Sequence, residues 1–277
     1  MEGHIFTSCT GKPLALLDAQ YGKDSISCNT NTSEALVSTC SLSEDRGTGS
    51  VEIDPLEILP DHLIVEVITR LPVKSWVSAA CVRKRWAGVF KTEMLWQTAL
   101  KKRWPSTGSI KRWPGPIGRG PAKRRYIALH LSKSLFSFED EDGEIYELAG
   151  HIYLYLKEQL QMSTSLSYGL LHGTVIDQFL ACGKKGNAAY ELASQIWLAV
   201  INNLEENEHT FQLLLQIVEE WEIFLPYPYS KSHAVQWRLF ERLFTDFRDC
   251  LSPLDYYSVL TRAKHRFEFV PATWLGY

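Results

Sequence analysis

The stretch Leu59-Pro60-Asp61-His62-Leu63-Ile64-Val65-Glu66-Val67-Ile68-Thr69-Arg70-Leu71-Pro72-Val73-Lys74-Ser75 decides how the chain is read. Leu63, Ile64, Val67, Ile68 and Leu71 recur at helical spacing, and Asp61 suits a helix N-terminus. Leu71-Pro72 closes the segment, because proline drives the residue before it out of the helical region. A second helical segment carries Trp76, Val77, Ala80 and Cys81, and a third carries Val82, Trp86, Val89 and Phe90. Thr92 can cap a further helix, with Glu93 at its positive end and Met94, Leu95 and Leu100 along it. Short helices are therefore expected between about residues 54 and 104.

Three helices in about 45 residues hide too little surface to satisfy their own apolar faces. Leu59, Pro60, Ile64, Val67, Leu71, Pro72 and Val73 should be left over as an exposed apolar patch, and such patches mark partner surfaces. The order Leu59-Pro60, Leu63, Val67-Ile68, Leu71-Pro72-Val73-Lys74-Ser75, Val82-Arg83-Lys84-Arg85-Trp86 and Leu95-Trp96 resembles an F-box, and its L-P-V-K-S and K-R-W forms look especially like plant F-box proteins. The resemblance covers about 45 of the 277 residues, in separated blocks that keep their order. Two details depart from it. Trp76, Val77, Ala79 and Ala80 stand where branched aliphatics are usual, and Arg83 stands where a cysteine often precedes K-R-W.

That resemblance implies a non-catalytic, substrate-recognition subunit of an SCF-type ubiquitin ligase. Its F-box would bind a Skp-family adaptor and, through it, a cullin. The adaptor contacts it implies are Leu59, Pro60, Leu63, Ile64, Val67, Ile68, Leu71, Pro72, Val73, Trp76, Val82, Trp86 and Trp96. An unidentified target protein would be held elsewhere for ubiquitination and proteasomal degradation, in the nucleus, the cytoplasm or both.

The formal charge of −3 hides a division. Residues 1–60 carry 3 basic and 9 acidic side chains, residues 61–138 carry 16 and 3, and residues 139–277 carry 10 and 20. Residues 1–53 are rich in Ser, Thr, Asn and Gly without sustained periodicity, so a disordered tail is expected. Ser41 and Ser43 within it are candidate phosphorylation sites, and the Asn31-Thr32-Ser33 sequon reads as chance. Residues 105–122 are dense in Pro and Gly and read as a basic linker. Between 101 and 125 stand nine Lys or Arg and no acid, with Trp104 and Trp113 among them. That block admits three readings: a solvated linker, a segment docked on its own acidic domain or on a partner, or a nucleic-acid contact. The alternative function is accordingly a non-catalytic nucleic-acid-binding or scaffold protein, which the F-box-like pattern disfavours.

From about 123 to 277 the pattern is mainly helical, with stretches at about 145–162, 166–181, 187–203, 208–224, 232–250 and 253–267. Strands are conceivable only near Phe267-Glu268-Phe269 and in 126–138. The expected fold class is mainly α: a three-helix F-box, 54–104, followed by a separate helical domain, 123–277, for substrate recognition. No Leu-rich, Kelch-like or WD-type repeat is present. Most aromatic residues recur at helical spacing, which points to core packing. Leu225-Pro226-Tyr227-Pro228-Tyr229 is expected at the surface, with Tyr227 and Tyr229 as candidate substrate contacts.

Catalytic and cofactor signals are poor. No GxSxG or HExxH occurs, Gly183-Lys184-Lys185-Gly186 reads as a turn between helices, and the histidines lack metal-ligand spacing. No catalytic residue, metal or cofactor is expected. Six scattered cysteines without CxxC pairs suit reduced thiols in an intracellular protein. Met1-Glu2-Gly3-His4 carries no secretory leader and no run is long enough to cross a bilayer, so no membrane association is expected.

Overall fold

The computed structural model describes residues 58–109, 113, 115–138, 143–161, 174–225 and 229–276. The 1–53 tail, with Asn31, Ser41 and Ser43, lies outside them, as do Lys111, Arg112 and Tyr227. The chain divides into two compact units, Met1–Lys91 and Thr92–Tyr277. Among the described residues every regular element is helical.

The first unit holds α1 (Asp61–Arg70), a single turn at Val73–Ser75, α2 (Trp76–Val82) and α3 (Lys84–Val89). Pro60, in extended conformation, opens α1, and its carbonyl accepts from the Leu63 and Ile64 amides at 3.0 and 3.2 Å. Leu71, also extended, ends it before Pro72. Ile64, Val65 and Ile68 of α1 are buried with Trp76, Ala79 and Val89. The Trp76 indole donates to the Leu71 carbonyl at 3.2 Å and meets Phe90 edge-on at 6.0 Å, which fixes the turn between α1 and α2. Asp61 accepts from Arg85 Nε at 3.1 Å and Nη2 at 2.7 Å, tying α1 to α3. Both side chains are exposed, so this pair adds less than about 1 kcal/mol.

The second unit holds α4 (Glu93–Arg103), α5 (Ala122–Leu135), α6 (Gly143–Gln161), α7 (Thr174–Ala181), α8 (Gly186–Asn202), α9 (Glu208–Glu219), a short α10 (Trp221–Phe224), α11 (His233–Thr245) and α12 (Pro253–Arg266). Asn207 caps α9 by accepting from the Thr210 amide at 2.9 Å. Ser252 does the same for α12 from Asp255, with Pro253 in the first helical position. The pair α5–α6 approaches so closely that a Cβ on Gly150 would stand 2.0 Å from the Ala128 carbonyl oxygen. Only glycine allows that crossing. Arg242 of α11 is buried and donates to the carbonyls of Ile201 and Leu204, satisfying the C-terminal end of α8. Trp274 closes the far side, its ring stacked on Phe244 at 4.8 Å and beside Trp237 at 4.9 Å.

Several expectations change. The unit boundary falls at Lys91/Thr92, inside the segment read as one domain at 54–104. The cause is α4, which packs on α5: Trp96 and Trp104 meet Tyr126 edge-on at 5.6 and 5.0 Å, and Glu93 accepts from the Ala122 amide at 2.8 Å. The 126–138 region is helix to Leu135 rather than strand, and Phe267-Glu268-Phe269 is irregular. The helix expected over 208–224 breaks at Glu220, where Arg262 Nη1 takes the Val218 and Glu219 carbonyls at 3.2 Å each.

Candidate functional site

The thirteen side chains expected at an adaptor surface separate into two groups. Pro60, Leu63, Val67, Pro72 and Val82 are exposed, with Leu63 at 42%, Val67 at 40% and Val82 at 58%. Pro60, Leu63 and Val67 follow one another at helical spacing and form an outward apolar ridge along α1. Leu59, Leu71, Val73 and Trp86 are half-buried. Ile64, Ile68, Trp76 and Trp96 are instead buried, and this corrects their assignment as direct contacts. The first three are the core of the first unit. Trp96 lies in the second unit, against Tyr126 and under the Lys123 ammonium at 5.7 Å.

The chemistry of the ridge is apolar burial. Lys74 and His62 are exposed beside it, giving a polar rim. An unpaired ridge of this kind on a small unit suits a protein partner rather than a small ligand.

In the second unit three arginines of the basic block, Arg119, Arg124 and Arg125, are docked on carboxylates of α6. Glu147 of α6 is fully buried and receives Arg119 Nε and Nη2 at 2.7 and 2.8 Å, while Arg125 Nε reaches it at 2.6 Å. Arg119 and Arg125 also donate to the Thr107 carbonyl at 2.8 and 3.3 Å. Arg124 holds Glu158 through two bonds of 2.7 and 2.8 Å. Burial pushes the Glu147 carboxyl up, but Arg119, the nearby His151 and Arg125 pull it down further, to about 2. His151 is fully buried, and burial lowers its pKa. The 115–121 stretch is therefore a strap: Ile117 is buried, its amide donates to Gln178 at 2.9 Å, and its carbonyl accepts from the Trp113 indole at 2.9 Å. For Arg119, Arg124 and Arg125, docking on the chain's own acidic domain is the reading these contacts describe.

Tyr229 corrects another expectation. It is 1% exposed, with its ring edge-on to Trp197 at 5.9 Å, and burial pushes its phenol pKa up. Tyr229 opens a single turn, Tyr229–Lys231, with its ring packed inward. Cys81, Cys182 and Cys250 are free thiols. Among the described residues no cluster of ligands for a metal ion is present, and no helix is long and apolar enough to cross a membrane.

A feature that the sequence reading missed is a cleft of about 280 Å³ lined by Val218, Trp221, Phe240, Thr261, Arg262, His265 and Arg266. The available signal was Arg262, Lys264, His265 and Arg266 clustered within a region otherwise poor in cations.

No curated protein and no solved structure matches this chain. The F-box-like family matches residues 56–102, covering α1 to α3 and nearly all of α4. The blocks that carry the resemblance and the outward Pro60–Leu63–Val67 ridge thus fall in one matched segment, and the chain carries an F-box-like domain at residues 56–102.

Proposed function

We propose that this protein is the target-binding subunit of an SCF-type ubiquitin ligase, docking a Skp-family adaptor through the exposed face of α1. The observation that carries the reading is the apolar ridge Pro60–Leu63–Val67, exposed within the segment that matches the F-box-like family. Burying Leu and Val anchors at the centre of an interface contributes about 2 kcal/mol each or more, enough for a handful of residues to dominate affinity. The second unit holds the target, and the chain contributes proximity rather than chemistry. A target lysine is presented at high effective concentration to the ubiquitin-loaded enzyme of the assembly. The nucleic-acid alternative draws no support from Arg119, Arg124 and Arg125, whose guanidiniums are occupied by Glu147 and Glu158.

Affinity capture of the full chain under proteasome inhibition, beside a Leu63→Asp/Val67→Asp variant, tests the reading. The adaptor and cullin co-purify with the unmutated chain only. Captured ubiquitinated proteins depend on the same two positions. Equal recovery of adaptor by both chains contradicts the proposal.

A further inference from the structure

The cleft between α12 and the α9–α10 break has walls of different chemistry. Arg262, His265 and Arg266 follow the i, i+3, i+4 spacing that places them on one face of α12, with Thr261 beside them. Facing them are Val218 and Trp221, with Phe240 of α11 beneath, and the Trp221 and Phe240 rings stack at 6.0 Å and 20°. The Arg266 guanidinium stands 5.1 Å from the Trp221 ring centroid. Arg262 donates to the last carbonyls of α9, so its charge sits at the negative end of that helix while its other N–H groups remain available.

No carboxylate lines the cleft, and neither arginine is ion-paired among the described residues. This is not the general composition of the region, since residues 139–277 carry 10 basic and 20 acidic side chains. Size narrows the occupant further. A volume of about 280 Å³ falls just below the range of small-ligand pockets, about 300–1,000 Å³. It accommodates one large apolar side chain with a charged neighbour at the mouth. An aromatic floor under a cationic rim selects an apolar group next to an anion.

We propose that this cleft binds an acidic peptide segment of another protein, seating a Leu or Phe side chain over Trp221 and Phe240 while an adjacent Asp or Glu carboxylate meets Arg262 and Arg266. That the segment belongs to a ligase target rests on the adaptor-docking function proposed above; the binding itself does not.

The test uses the full chain and a fluorescein-labelled, amidated eight-residue peptide of alternating Asp and Leu, read by anisotropy. Control peptides replace every Asp by Asn, every Asp by Lys, or every Leu by Ser. Saturable binding is expected for the Asp–Leu peptide, weaker by about tenfold or more for each control. Arg266→Glu, at an exposed position, weakens the Asp–Leu peptide by a similar factor with an unchanged circular dichroism spectrum. Thr261→Trp, which fills the mouth without altering charge, also weakens it. The proposal is overturned if the Asp–Leu peptide does not saturate, if the Lys–Leu peptide binds as well, or if both variants bind like the unmutated chain. Adaptor capture on the same preparations reads the other proposal separately, because Arg266 and Thr261 lie outside the F-box-like segment.

Discussion

Replacing Glu147 by Gln should be among the most damaging single isosteric changes in the second unit. The carboxylate is fully buried and bridges two guanidiniums, Arg119 at 2.7 and 2.8 Å and Arg125 at 2.6 Å. Its pKa of about 2, against an ordinary 4.5, corresponds to about 3 kcal/mol of stabilisation at neutral pH. Removing one partner of a buried pair, with two cations left behind, costs about 3–5 kcal/mol, so the two routes agree in scale. The sign follows from the lowered pKa. The contribution is complete above about pH 5 and is lost as pH falls toward the folded-state value of about 2. Urea unfolding followed by far-ultraviolet circular dichroism, from pH 7 to pH 3, measures both effects. Glu147→Gln should lose about 3 kcal/mol at pH 7, and its gap to the unmutated chain should shrink by about half at pH 3. A gap below about 1 kcal/mol at pH 7, or one equally large at both pH values, refutes the reasoning.

Gly150→Ala drives a methyl group into the Ala128 carbonyl, 2.0 Å away on a packed helix. It should cost about 3 kcal/mol or more in the same unfolding experiment, against well under 1 kcal/mol for Gly186→Ala, where nothing lies within 4 Å. Trp274→Ala removes a buried ring packed against Phe244 and Trp237 and should destabilise by about 3–5 kcal/mol, with loss of near-ultraviolet dichroism. Within α1, Ile64→Ala should lower stability by about 2–4 kcal/mol, whereas Leu63→Ala should leave melting nearly unchanged.

How far the sequence reached depends on the range of the interaction that decided each feature. In the second unit α6, α8 and α12 follow from local periodicity, helped at α12 by the Ser252 cap, and their limits fall within two residues of the expected ones. The helix expected over 232–250 stops at Thr245, and the first part of the one expected over 166–181 lies outside the described residues. In α1 the two apolar pairs Leu63/Val67 and Ile64/Ile68 are adjacent on the helix. Periodicity treats them alike, and only packing against α2 and α3 turns Ile64 and Ile68 inward. The Glu220 break comes from Arg262, more than forty residues onward, and the 115–121 strap comes from Glu147 and Gln178 on other helices. Proline and glycine density announced irregular backbone there but could not say that it is docked. The unit boundary was hidden for the same reason. Leu95 and Trp96 belong to the F-box-like pattern, yet the ring that Trp96 meets, Tyr126, lies in α5.

If the outward face of α1 docks an adaptor, purified adaptor binds the chain in solution and charges placed on that face abolish the binding. Calorimetric titration of purified Skp-family adaptor into the full chain, the Leu63→Asp/Val67→Asp variant and Ile64→Val is the most direct measurement. Saturable binding is expected for the unmutated chain, binding within about threefold of it for Ile64→Val, and a loss of about 500-fold or more for the double variant, at about 2 kcal/mol for each of the two anchors. No binding by the unmutated chain, or undiminished binding by a folded double variant, would contradict docking through α1.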